Sequence, residues 1–266
     1  ILLFTLFSFS FGFAQQIQMP QASPSAKISQ KVGLTDVTVD YSRPSTKGRK
    51  IFGELVPFGQ VWRTGANSAT TVEFSTEVNI QGNSIPKGKY KWTVVLSKNT
   101  QLWGAIGYSP EDDILRFDVT PNKLSRKYET FEISFNNMTD NGADLSMKWE
   151  NTRVDFRITT EVDPIVMAQI KENVIDTKTK DPSLLYAASS YYFTNNKDLD
   201  QAYEWISESV SSDPKYWTMH LKAKIEAKLG KKEAAKTSAK ESMKMAEEAK
   251  NPNYVGLNER LIKSLD

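Results

Sequence analysis

Apolar residues recur at every second position along the first part of the chain, and at every third or fourth position after about Val162. This change of period constrains the fold more than any single motif does, because alternation buries one face of a strand while a spacing of three to four buries one stripe of a helix. The sequence therefore predicts a β-rich domain followed by an all-α domain. Roughly 250 residues after the N-terminal apolar run also exceed what one small core usually organises, which points to the same division.

In the first part, Val37, Val39 and Tyr41 alternate with polar neighbours, as do Val72 with Phe74 and Val78 with Ile80. Tyr90, Trp92, Val94 and Leu96 form one side of a further expected strand. Later strands are predicted over Leu102 to Tyr108, Ile114 to Thr120, Tyr128 to Phe135, Ala143 to Trp149 and Thr152 to Thr160. Short strands in this number, broken by turn-rich QGNSIPKGK, SPEDD and TDNGAD, fit an antiparallel β-sandwich over residues 24–161. The irregular stretch from Tyr41 to Thr70 then becomes a long loop between strands, a kind of segment that often carries function.

In the second part, residues 162–266, helical stripes run through Ile165 to Ile175, Leu184 to Tyr191, Leu199 to Val210, Trp217 to Leu229, Ala235 to Ala246 and Tyr254 to Leu265. Breaks fall at Asp181-Pro182, Asn195-Asn196, Asp213-Pro214, Gly230 and Asn251-Pro252, where proline or a turn residue begins or ends a helix. A chain of helical hairpins is expected.

The opening ILLFTLFSFSFGFA is followed abruptly by QQIQ, with Gly12 and Ala14 placed as the small residues of a signal-peptidase site. Residues 1–14 thus read as a secretory leader, expected to be N-terminally incomplete because no basic segment precedes it, and residues 15–23 as a linker. The apolar run is shorter than the roughly 20 residues of a membrane-spanning helix, so no span is expected after cleavage. A periplasmic or secreted location follows as an expectation. Cysteine is absent, so neither a disulfide nor a cysteine-borne lipid supports the fold. The stretch 15–161 carries 18 Lys or Arg against 16 Asp or Glu, and the remainder 16 against 16. With no basic excess in either part, nucleic acid is not an expected partner.

Two resemblances add to this reading. The stretch from Ser183 to about Glu248 resembles two divergent tetratricopeptide repeats: Ala202 and Ala235 stand 33 positions apart, close to the period of about 34, and Pro214 takes the place of the closing proline. Ser189 and Ser190 depart from it, standing where Leu and Gly are usual. Such stacked hairpins are expected either to present a concave face to a protein segment or to pack on the sandwich. The segments YSRPSTKGRKIFGELVPFGQVWRTGAN, PSAKISQKVG, PKGKY and WTVVLSKN are similar to the bacterial DUF2911 family over about Pro24 to Glu161. That resemblance implies a secreted β-rich domain and no particular reaction. Tyr90-Lys91-Trp92 joins directly two elements that the family usually separates by a further strand and turn.

No metal ligand set or cofactor motif is evident. His220 is the sole histidine and falls in the helical part, where it reads as a packing or surface residue, so a His-based metal site or a Ser-His-Asp triad is not expected. SRPSTKGRK lacks the order of a phosphate loop, Asp112-Asp113 lacks the alternating ligands of a calcium loop, and a Ser45–Lys47 dyad would need a desolvated lysine. Two functional readings stay open. In the first, Arg43, Lys47, Arg49 and Arg63 converge on an anionic or glycan-like envelope ligand, Asn67 supplies donor and acceptor, and Trp62 with Phe58 forms a wall, while the helices contact a protein. Beside it stands the plainer account in which Arg63 pins the loop by bonding carbonyls and Trp62 is core. In the second, an envelope hydrolase of glycosidase type uses the carboxylates of Glu54, Asp40 and Glu73.

Overall fold

The computed structural model describes residues 20–57, 60–92, 95–100 and 106–266. The expected leader at residues 1–14 lies outside them, as do Phe58, Val94 and most of the strand predicted over Leu102 to Tyr108. The chain forms two compact units, Ile1–Val162 and Asp163–Asp266.

Ten strands among the described residues build two antiparallel sheets in the first unit. The six-stranded sheet contains β1 (Ser25–Val32), β2 (Thr35–Ser42), β3 (Thr71–Phe74), β6 (Gly88–Trp92), β7 (Val95–Ser97) and β8 (Asp113–Arg116), in that spatial order. The four-stranded sheet runs β5 (Asn83–Ile85), β4 (Val78–Ile80), β10 (Gly142–Thr159), β9 (Asn122–Thr139). Alternation decides what each strand buries: Val37, Val39, Val72 and Phe74 point inward from the first sheet and meet Phe131, Ile133, Leu145, Trp149 and Ile158 from the second in one apolar core. Truncating a buried Phe or Trp of this kind to Ala costs about 3–5 kcal/mol.

Four features depart from the sequence expectation; the first is that the strand predicted over Ile114 to Thr120 is β8 and ends at Arg116. The single strand expected from Tyr90 to Leu96 is two strands, because Lys91 pairs with Ser97 and Trp92 with Leu96 across a chain reversal. Alternation alone cannot reveal a reversal. Ala143 to Trp149 and Thr152 to Thr160 are one continuous strand, β10, whose ladder with β9 crosses the polar Glu150-Asn151-Thr152 through two register shifts, with Glu150 at φ +54°. Such irregularities bend a strand without ending it. Polar Ser25–Val32, for which no strand is expected, pairs along its whole length with β2.

The second unit consists of α1 (Asp163–Ile170), continuing as a π-helical turn through Ile175, then α2 (Pro182–Thr194), α3 (Leu199–Ser212), α4 (Tyr216–Lys228), α5 (Lys232–Glu248) and α6 (Pro252–Ser264). Their starts are fixed by side-chain caps: Asp181 accepts from the backbone of Ser183 and Leu184, Asp198 from Gln201, and Asn251 from Tyr254. Gly230, at φ +76°, closes α4. Helices pack in successive pairs, α2 on α3 and α4 on α5, through fully buried Ala202, Ala223, Ala235 and Ala239, whose small side chains let the backbones approach. Buried serines complete the crossings: Ser189 Oγ donates to the Ala202 carbonyl at 2.7 Å, and Ser242 Oγ to that of Tyr216 at 2.6 Å.

Candidate functional site

The long loop after β2 crosses from one sheet to the other. Thr46 N–H donates to the Glu129 carbonyl at 2.7 Å, and Phe131 N–H to the Pro44 carbonyl at 2.9 Å, so the loop pairs with β9, an edge of its sheet. The Glu129 carboxylate holds the loop from the other side, accepting from Thr46 Oγ1 and from Lys47 N–H. These two donors, the hydroxyl first, hold its pKa below the ordinary glutamate value.

The arginines of the loop are each engaged with main-chain carbonyls. Arg43 Nε donates to the Phe131 carbonyl at 3.1 Å. Arg49 turns back on its own loop, donating to the carbonyls of Thr46 and Ser45, both at 2.9 Å. Arg63 Nη1 donates to the Asn67 carbonyl at 2.9 Å, and the side chain of Lys47 is exposed. Each guanidinium is thus occupied with a main-chain oxygen, the pinning role weighed as the plainer account for Arg63. Trp62 is likewise engaged in packing: it stacks on Trp149 and meets Phe131 and Phe52 edge-on.

The turn that follows Arg63 forms one wall of a cleft on the outer face of the six-stranded sheet. The 63–70 turn is closed by Arg63 on Asn67 and by Thr70 Oγ1 on the Thr64 carbonyl at 2.6 Å. Gly65, at φ +151°, lies so close to β2 that a Cβ there would meet the Ser42 carbonyl at 2.9 Å. Asn67 Nδ2 reaches the Ser23 carbonyl at 3.1 Å and Ser42 Oγ at 3.4 Å, which ties the turn to the segment entering β1. Between them opens a cleft of about 520 Å³ whose lining includes Ser25, Lys27, Asp40, Asn67, Thr71 and Lys89.

Asp40 lies at its floor, 3.7 Å from Lys27 Nζ on β1 and 3.9 Å from Lys89 Nζ on β6. All three side chains are at least 40% exposed, so these pairs contribute about 0–1 kcal/mol to stability and their charges can be redirected to a ligand. Of the three carboxylates considered for hydrolysis, Asp40 alone lines the cleft. Glu73 is exposed on the same sheet, opposite Lys89, and Glu54 is exposed beside Lys50 at 3.7 Å. Lys27, Lys89 and Thr71 were not anticipated as site residues. Each occupies an outward position of its strand, but only the register shows that they are neighbours.

A family model described as "Protein of unknown function (DUF2911)" matches residues 23–158, just over half of the chain. The chain belongs to the DUF2911 family. No curated protein and no solved structure matches it. The DUF2911 match runs from the segment held by Asn67 to Ile158 near the end of β10, and so contains the crossover loop and the cleft lining from Ser25 to Lys89, while Gln21, which also lines the cleft, precedes it. The helical unit lies outside it. Among the described residues, no group of three or more His, Asp or Glu side chains is placed to hold a metal ion, and no helix is long and apolar enough to cross a membrane.

In the helical unit, His220 Nδ1 lies 2.7 Å from Asn258 Oδ1, and Asn258 Nδ2 donates to Ser242 Oγ at 2.8 Å. Because the amide nitrogen is directed at Ser242, the amide oxygen accepts from a protonated Nδ1, which places the neutral tautomer's lone pair on Nε2. Burial lowers the His220 pKa, against the bond to Asn258 and with the help of nearby Lys224.

Proposed function

We propose that this DUF2911 protein is a periplasmic or secreted binding and interaction protein of the cell envelope, whose β-unit takes an anionic or glycan-like ligand in the cleft over Asp40. The observation that carries the reading is the lining of that cleft. Asp40 can accept from two sugar hydroxyls, Lys27 and Lys89 can meet a carboxylate or phosphate, and Asn67, Ser25 and Thr71 add neutral donors and acceptors. Glycosidic hydrolysis would need two carboxyl groups facing each other across the sugar, whereas among the described lining residues Asp40 is the one acid, which favours binding. The apolar leader expected at residues 1–14 supports a periplasmic or secreted location.

The helical unit we read as a divergent tetratricopeptide-like pair that contacts a protein. Ala202 and Ala235, 33 positions apart, are both fully buried, and the unusual Ser189 caps a neighbouring carbonyl at the same crossing. The β-unit reading is tested by thermal shift of the protein against uronic-acid oligosaccharides, neutral oligosaccharides and inorganic phosphate. Ligand at about a hundred times Kd should raise Tm by several degrees, and Asp40→Ala with Lys89→Ala should abolish the rise. A rise that survives both substitutions, or no rise with any of these compounds, refutes the assignment.

A further inference from the structure

Helices α2 and α4 pack against each other, and their shared surface carries a charge pattern that sets it apart. Within Pro182–Thr194 there is no charged residue. Within Tyr216–Lys228 there are three lysines and one acid, Glu226, which is buried. At one end of this surface, Tyr186 of α2 and Trp217 of α4 line a small cavity of about 80 Å³, whose lining also includes Asp213, its charge paired with Lys215 at 2.9 Å. At the other end, Lys224 and Lys228 both stand over the ring of Phe193 from α2, at 4.9 and 5.2 Å. Both lysines are exposed; Lys228 bonds the Asn196 amide, and among the described residues neither faces a carboxylate. From Trp217 to Lys228 the surface extends about 16 Å along α4, the reach of roughly five extended residues.

We propose that this surface binds an extended acidic segment of a partner protein, with carboxylates against Lys224 and Lys228 and a small apolar side chain in the cavity beside Tyr186 and Trp217. The inference deepens, and rests on, the reading of the helical unit as a protein-binding module. Charge complementarity selects the occupant. Two ammonium groups held over an aromatic face, with no exposed acid on either helix, attract carboxylates and repel basic segments. The half-buried aromatics give the segment an apolar anchor that a purely ionic partner would not use.

The test uses the full chain and fluorescein-labelled poly(Glu,Ala) copolymer, with poly(Lys,Ala) of equal length as the opposite-charge probe, followed by fluorescence anisotropy. Binding of the acidic copolymer should weaken by on the order of tenfold in the Lys224→Glu, Lys228→Glu double variant. The same charge change on α5, Lys240→Glu with Lys244→Glu, should leave it within about twofold, and unchanged melting curves would show that both variants fold. Binding that persists in the first variant, or falls equally in the second, overturns the proposal. An array of random decapeptides separates this failure from a deeper one. Neutral or basic peptides captured in a Trp217-dependent way would sink the acidic segment while keeping the protein-binding module, whereas no capture of any peptide would sink both.

Discussion

The indole of Trp62 lies nearly flat on that of Trp149, with 5.6 Å between ring centroids and 15° between planes. Trp149 is a core residue of β10, so this stack ties the irregular crossover loop to the four-stranded sheet. Trp62→Ala is expected to destabilise the β-unit by about 2–4 kcal/mol, somewhat less than for a fully buried tryptophan because Trp62 is half-buried. Urea denaturation would measure it. A loss below about 0.5 kcal/mol would mean that the stack does not anchor the loop.

The two arginines on either side of Lys47 should differ sharply. Arg43→Ala leaves the Phe131 carbonyl without its guanidinium donor and is expected to cost about 1–3 kcal/mol. Arg49 is exposed and donates its hydrogen bonds to carbonyls of its own loop, so Arg49→Ala should stay within about 1 kcal/mol. Equal costs in urea denaturation would contradict the anchoring role given to Arg43.

Gly65→Ala tests whether the turn geometry makes the cleft. A Cβ at this position runs into the Ser42 carbonyl and sits at a φ that L-residues avoid, so a stability loss of more than about 1 kcal/mol is expected, together with a weakened ligand response at Asp40. Wild-type stability in that variant would show that the turn adapts.

Glu129 gives the β-unit an acid-sensitive clasp. Its folded pKa is depressed by Thr46 and Lys47, so it contributes fully above the ordinary glutamate range, and the contribution disappears as pH falls through the lower folded value. The Glu129→Gln variant should therefore melt below wild type at neutral pH and converge with it in strong acid. Parallel Tm curves from pH 7 down to pH 3 would remove the carboxylate from the account.

His220 predicts a second pH dependence, at higher pH, in the helical unit. Its folded pKa lies below the unfolded value of about 6.5, so the unfolded state binds the proton first and stability falls as pH drops through the unfolded value towards the folded one. Helical circular dichroism melts between pH 8 and pH 5 should show this decline in wild type and a smaller one in His220→Gln. An imidazole NMR titration at or above the ordinary value would rule it out.

How much of this was legible in the sequence varied from element to element. All six helices appear where their stripes and breaks put them, because the spacing of Leu199, Ala202, Ile206 and Val210 and the breaks at Asp181-Pro182, Asn195-Asn196 and Asn251-Pro252 are local signals. Alternation likewise located Val37 to Tyr41 and Val72 to Phe74. It missed Ser25–Val32, where Ala26, Ile28 and Val32 alternate with outward Lys27, Ser29 and Lys31 but polar Gln30 interrupts the inward row. For the candidate site, Asn67 and Asp40 were named in advance, but Lys27 and Lys89 were not, since they meet Asp40 across strand pairings of long sequence separation.

The order of polar and apolar residues by itself determined that a sheet unit precedes a helical one and where each helix begins, because these depend on neighbours a few positions apart. Tertiary structure alone decided where the arginines of the crossover loop go. Their guanidinium groups face main-chain oxygens because a loop that leaves one sheet for the edge of another must satisfy its carbonyls, and only the strand register determines which charges remain free around Asp40.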